Sequence, residues 1–190
     1  MKKIFFVGIL SILSAGISFA QQPKIGVTAG LNVSNITVSG GGTSNKFKAG
    51  FQAGVVADVD ITDNFSIIPE LLFGQRGCKS KVNDTSMTLN YLQLPINAAY
   101  KFDVGYGSQL LVFAGPYFVY GVSATNAKFG SNAGELKPFD FGINAGVGYQ
   151  FEKIFFKLQC NPGLVNLSNY NGGSSVKNMN IAVTAGYYFF

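Results

Sequence analysis

Histidine is absent from this 190-residue chain. Its absence removes Ser-His-Asp triads, histidine-ligated zinc and the commonest general base together. Charge is scarce too. Asp, Glu, Lys and Arg make up 12% of the residues, against roughly 25% in a soluble domain. The basic residues outnumber the acidic ones, for a net charge of +5, but they are scattered and make a poor nucleic-acid footprint. Beyond the first twenty residues there is no apolar run long enough for a membrane helix. Gly, Asn, Ser or Thr interrupts every hydrophobic stretch, although 47% of residues are apolar. Gly105-Tyr106-Gly107 and Gly146-Val147-Gly148 lack the spacing of a phosphate loop. The expectation is a chain without catalytic, cofactor or metal sites, and not an enzyme.

The N-terminus has the three parts of a cleaved secretory signal. Lys2 and Lys3 are followed by an apolar run over residues 4–17, then Ser18-Phe19-Ala20 with small side chains at −3 and −1. Residues 1–20 are therefore expected to be removed, leaving residues 21–190 as one domain. Export also takes nucleic acid away as a partner.

What the remainder holds is period-two alternation, the signature of strands. It recurs eight times, over residues 25–34, 47–59, 65–76, 88–102, 109–122, 139–151, 154–164 and 179–189. In 139–151, Phe139, Phe141, Ile143, Ala145, Val147, Tyr149 and Phe151 alternate with Asp140, Gly142, Asn144, Gly146, Gly148 and Gln150. Ile68 and Leu72 blur the third segment. The fifth is apolar on both faces, which leaves its facing open. Connections 2–3, 4–5 and 6–7 are short, while 1–2, 3–4, 5–6 and 7–8 are generally longer and polar, with Gly40-Gly41-Gly42 and Gly172-Gly173 marking two of them as loops. This is the layout of an all-β, eight-stranded antiparallel up-and-down transmembrane barrel.

Alternation alone does not say which face points outward. The less apolar face is mostly Gly, Asn, Thr, Gln and Ser. As a water-exposed surface it is poor in charge, whereas it suits the narrow interior of eight strands. Phe65, Tyr100, Phe102, Tyr149, Phe151, Phe156, Tyr187 and Phe189 gather near the short-turn end, and Phe47, Phe73 and Phe139 near the other. Two such girdles are what lipid interfaces select. Strand 8 must then pair with strand 1, since hydrocarbon leaves no partner for an open edge.

The sequence resembles the PorT-like outer-membrane β-barrel family of Bacteroidetes, with the architecture of small OmpX and OmpA barrels. The resemblance spans residues 21–190. It rests on Tyr91-Leu92-Gln93-Leu94-Pro95-Ile96, Gly115-Pro116-Tyr117, Asp140-Phe141-Gly142, Gly146-Val147-Gly148-Tyr149 and the ending Gly186-Tyr187-Tyr188-Phe189. It implies a terminal aromatic, Phe189 or Phe190, read by the barrel-insertion machinery.

The candidate site residues are charges on the interior face: Lys48, Glu70, Arg76, Lys101, Asp140 and Lys157. They are expected to form a polar network inside a closed lumen. Cys78 lies at the loop end of strand 3 and Cys160 on the outward face of strand 7, too far apart for a disulfide. Lys79, Lys81, Lys128 and Lys137 in the long loops could meet anionic lipopolysaccharide, and outer-membrane lipid is the other expected partner. The leading expectation is an outer-membrane barrel with periplasmic termini and external loops, serving envelope structure or surface interaction. A secretion-apparatus component, a soluble or periplasmic lipid-binding barrel, and a narrow porin-like channel are the alternatives.

Overall fold

The computed structural model describes residues 22–39, 45–80, 86–126, 128–130, 136–165 and 175–189. The expected signal segment, Phe190, Lys81 and both glycine-marked loop centres lie outside them. Eight strands follow in order: β1 Lys24–Ser39, β2 Asn45–Asp60, β3 Phe65–Ser80, β4 Ser86–Gly105, β5 Ser108–Thr125, β6 Phe139–Phe151, β7 Ile154–Pro162 and β8 Ser175–Tyr188. Each pairs antiparallel with the next, and β8 closes on β1 from Gly26↔Tyr188 to Ser39↔Ser175. Every strand therefore has a hydrogen-bonded neighbour on each side, although β7 ends at Pro162, short of the loop-side ends of β6 and β8.

Side chains alternate about this wall as the pattern requires. In β4, Tyr91, Gln93, Asn97, Ala99 and Lys101 point inward, while Leu92, Leu94, Ile96 and Tyr100 are exposed on the outside. All the aromatics assigned to the two girdles lie on the exterior. The apolar set thus faces out, the reverse of a soluble lipid carrier. β5 resolves as Leu111, Phe113, Tyr117 and Val119 inside, with Leu110, Val112, Phe118, Tyr120 and Val122 outside. Ile68 and Leu72, which blurred the third segment, are buried in the lumen.

Several strands run further towards the long loops than the alternation suggested. In β1 the apolar phase switches between Val33 and Ile36, yet backbone pairing with β8 continues to Ser39. Above the upper aromatics a polar row crosses the outer face: Gln75 Nε2 donates to Asn90 Oδ1 at 3.2 Å, and Asn90 Nδ2 to Ser123 Oγ at 2.8 Å. Asn90 and the girdle residue Tyr100 are ten residues apart on β4. That is about 34 Å of strand at 3.4 Å per residue, or about 25 Å across a bilayer at the usual tilt. The apolar band therefore has the height of a hydrocarbon core.

Candidate functional site: a filled lumen

The interior is built in layers. Nearest the short turns, Lys101 on β4 reaches across β3 to two carboxylates of β2, Asp58 Oδ2 at 2.6 Å and Asp60 Oδ1. Lys24 joins the same group through Asp60 at 3.1 Å. Above them sits an apolar plug of Val56, Ile68, Ala99, Leu111, Phe113, Phe155 and Tyr188, with the Phe155 and Tyr188 rings 4.7 Å apart.

The middle layer is polar. Lys157 Nζ on β7 donates to Glu70 Oε1 on β3 at 2.6 Å, with both side chains buried. In an eight-stranded ring, β3 and β7 stand opposite one another, so this ion pair spans the lumen as a strut. The lysine stem lies among Phe113 and Phe155, its ammonium 6.0 and 5.3 Å from their ring centres. The same Glu70 oxygen also ends a one-directional chain of amides. Asn180 donates to Asn161 at 3.2 Å, Asn161 to Asn144 at 2.8 Å, Asn144 to Asn97 at 2.8 Å, and Asn97 to Glu70 at 3.4 Å. β5 lies between Asn144 and Asn97 and contributes Gly115, paired with Asn144. A Cβ there would strike the Ile96 carbonyl and come 2.8 Å from Asn97 Cα. Only a bare backbone lets the amides meet across that strand.

Towards the loops, Arg76 Nη2 donates to Gln93 Oε1, and its guanidinium stacks 5.5 Å from the Tyr117 ring centre. Lys48 Nζ is held by Thr88 Oγ1 and the Met87 carbonyl. Asp140 Oδ1 accepts from the Phe141 amide at 2.8 Å. Arg76 and Asp140 are both buried but form no ion pair, and Arg76 Nε and Nη1 and Asp140 Oδ2 lack a hydrogen-bond partner among the described residues. A second apolar plug of Leu89, Tyr91, Tyr117 and Val119 closes this end. Phe129 and Leu136 from the β5–β6 connection bridge to one another and pack onto it, Phe129 stacking at 5.6 Å on Tyr91. Gly121 makes the room, because a Cβ there would run into the Phe129 ring.

The six residues singled out from the sequence thus all line the interior or reach into it, but at three levels. The structure joins Glu70 to Lys157 directly and gives Lys101, Lys48, Arg76 and Asp140 separate partners. Sequence reasoning missed Asp58, whose place on the inward face of β2 was the available signal. It also missed the asparagine chain, whose members were read only as small polar filler. The two aromatic plugs are a further correction: the expected lining was glycine-rich and polar, yet Phe113, Phe155, Tyr117 and Tyr188 fill much of it. Cys160 carries a free thiol.

A closed, antiparallel, eight-stranded wall with an apolar exterior and a filled polar interior defines an outer-membrane barrel of the small type. The outer membrane protein beta-barrel domain family matches residues 19–169. The chain belongs to that family. Among solved structures it is similar to neisserial surface protein A, with 14% identity, a TM-score of 0.54, and coverage of 89% of this chain and 100% of that one. It is also similar to the outer membrane protein W of E. coli, with 14% identity, a TM-score of 0.50, and coverage of 90% and 100%. At this identity the likeness is one of fold. No curated protein sequence matches the chain.

Proposed function

We propose that the chain is a non-enzymatic and non-conducting outer-membrane barrel, with periplasmic termini, that serves envelope structure and surface interaction through its long loops. The observation that carries this reading is the Lys157–Glu70 strut, packed between two apolar plugs where a pore or substrate chamber would have to run. Eight strands leave space for side chains and little else. The lack of histidine supports the absence of chemistry. Lys128 and Lys137 are exposed at the long-loop end and are suited to the phosphates of anionic lipopolysaccharide. Phe189 directly follows β8, its amide donating to the Ile25 carbonyl at 2.7 Å, and Phe189 or Phe190 is the terminal aromatic offered to the insertion machinery.

A PorT-like affiliation is supported by the resemblance at Tyr91–Ile96, Gly115–Tyr117, Asp140–Gly142, Gly146–Tyr149 and Gly186–Phe189. A secretion role of the kind that resemblance implies predicts a stable partner recovered from detergent. The primary test is planar-bilayer recording of folded protein, identified by its different gel migration before and after boiling. The expected result is fractionation with the outer membrane and no single-channel steps. Steps of constant amplitude would remove the non-conducting reading.

A further inference from the structure

On the outer face of β5, β6 and β7 the side chains shrink in register. Leu110, Tyr149 and Phe156 pair in one row and form a ledge at the short-turn end. Val112, Val147 and Leu158 make the next row, and Ala114, Ala145 and Cys160 the one after. Bulk returns further up, where the Phe118 and Phe141 rings meet at 5.3 Å. The stepped surface borders an open hollow of about 480 Å³ over Val112, Val147 and Leu158. A second hollow of 260 Å³ covers Ala145, Val147, Leu158 and Cys160. Since both touch Val147 and Leu158, they form one groove running from the ledge into the apolar band.

We propose that this groove retains one acyl chain of a membrane phospholipid, whose headgroup sits at the level of the Glu152–Lys153 turn. The inference rests on the barrel's placement in a bilayer. Lys157 and Gln159 border the groove, but their side chains are buried towards the lumen, so apart from the Cys160 thiol it presents apolar side chains, and it is continuous with the hydrocarbon-facing belt. An empty groove would forfeit dispersion contacts along its whole floor. A second barrel cannot reach that floor, because a convex wall would rest on the ledge below and on the phenylalanine pair above. A single chain is thin enough to lie between them.

The chain contains no tryptophan, so one introduced residue reports alone. Phe156→Trp places it at the groove, and Phe65→Trp at the same girdle away from it. Both proteins are folded into vesicles of phosphatidylethanolamine and phosphatidylglycerol containing a minor fraction of phosphatidylethanolamine brominated on its acyl chains. Retention predicts quenching at Phe156→Trp about twofold above the control, an excess that a few added chain contacts supply. Adding Ala145→Phe, or Val147→Phe if the first variant does not fold, should abolish the excess. Equal quenching at the two positions, or an excess that survives the filling substitution, overturns the proposal. Weaker quenching at Phe156→Trp than at the control assigns the groove to a second copy instead. Absence of quenching at both positions removes the bilayer placement itself, and the groove with it.

Discussion

Glu70 is the acceptor on which two independent structures end, the Lys157 ammonium and the asparagine chain. Glu70→Ala leaves a buried lysine uncompensated, which costs about 3–5 kcal/mol. Pairing it with Lys157→Met removes the orphaned charge and is expected to recover most of that loss, because desolvating two ions offsets much of their attraction. Urea unfolding in micelles, followed by the heat-modifiable band, measures all four corners of this cycle. Additive single losses would show that the strut does not couple β3 to β7. Gly115→Ala tests the amide chain separately. Its methyl group would part β5 from β4 and leave the Asn144 and Asn97 amides short of partners, for a loss of about 1–3 kcal/mol per buried group. A stability unchanged by Gly115→Ala would mean that the Asn144–Asn97 bond is dispensable.

At the scale of the strand, the outer face carries its own ruler. Ala114 lies within the apolar band on β5, while Asn90 lies in the polar row that crosses β3, β4 and β5. Arginine on the lipid face costs about 2–4 kcal/mol at the bilayer midplane and about 0–1 kcal/mol near an interface. Ala114→Arg is therefore expected to destabilise by the larger amount and Asn90→Arg by the smaller, in folding titrations into lipid vesicles. Equal costs would show that the polar row does not mark the membrane boundary. Strand number and order were legible because one face of every strand must be apolar to meet lipid, whereas the β1–β2 and β3–β4 connections are shorter than expected because backbone pairing outlasts the alternation. The facing of β5 was not, because Phe113, Tyr117 and Val119 are apolar for a different reason, namely filling the plugs. Ile68 blurred the third segment for the same cause, and Leu72 because it too is apolar and buried in the lumen. Among the site residues, Glu70 and Lys157 were recognisable as interior charges, since a buried ion needs a partner. Their mutual choice was not, because it depends on which strands stand opposite once the sheet closes. Nor was the run of asparagines, which becomes a chain only when strand tilt brings four of them to one level.

The whole molecule is asymmetric along its axis, and that asymmetry argues an orientation. At one end, β4–β5 and β6–β7 turn within two residues, and Glu152 N donates to the Gly107 carbonyl at 3.0 Å, tying those turns together. At the other end, strands continue past the Asn90 row and the β5–β6 and β7–β8 connections are long, with Phe129 and Leu136 folded back over the lumen. The start of β1 at Lys24 and the end of β8 at Tyr188 both lie on the short-turn side. In outer-membrane barrels short turns face the periplasm and long loops the exterior. With Cys78 and Cys160 replaced by serine, single cysteines at Lys137→Cys and Glu152→Cys report the two ends. A membrane-impermeant maleimide added to intact cells should label Lys137→Cys, and should reach Glu152→Cys only after the outer membrane is permeabilised. Both positions are exposed, so differential labelling reads sidedness and not burial. The opposite order would invert the barrel and take the lysine-bearing loops away from lipopolysaccharide. The surface role would then fall, while the filled lumen and the lipid groove would stand.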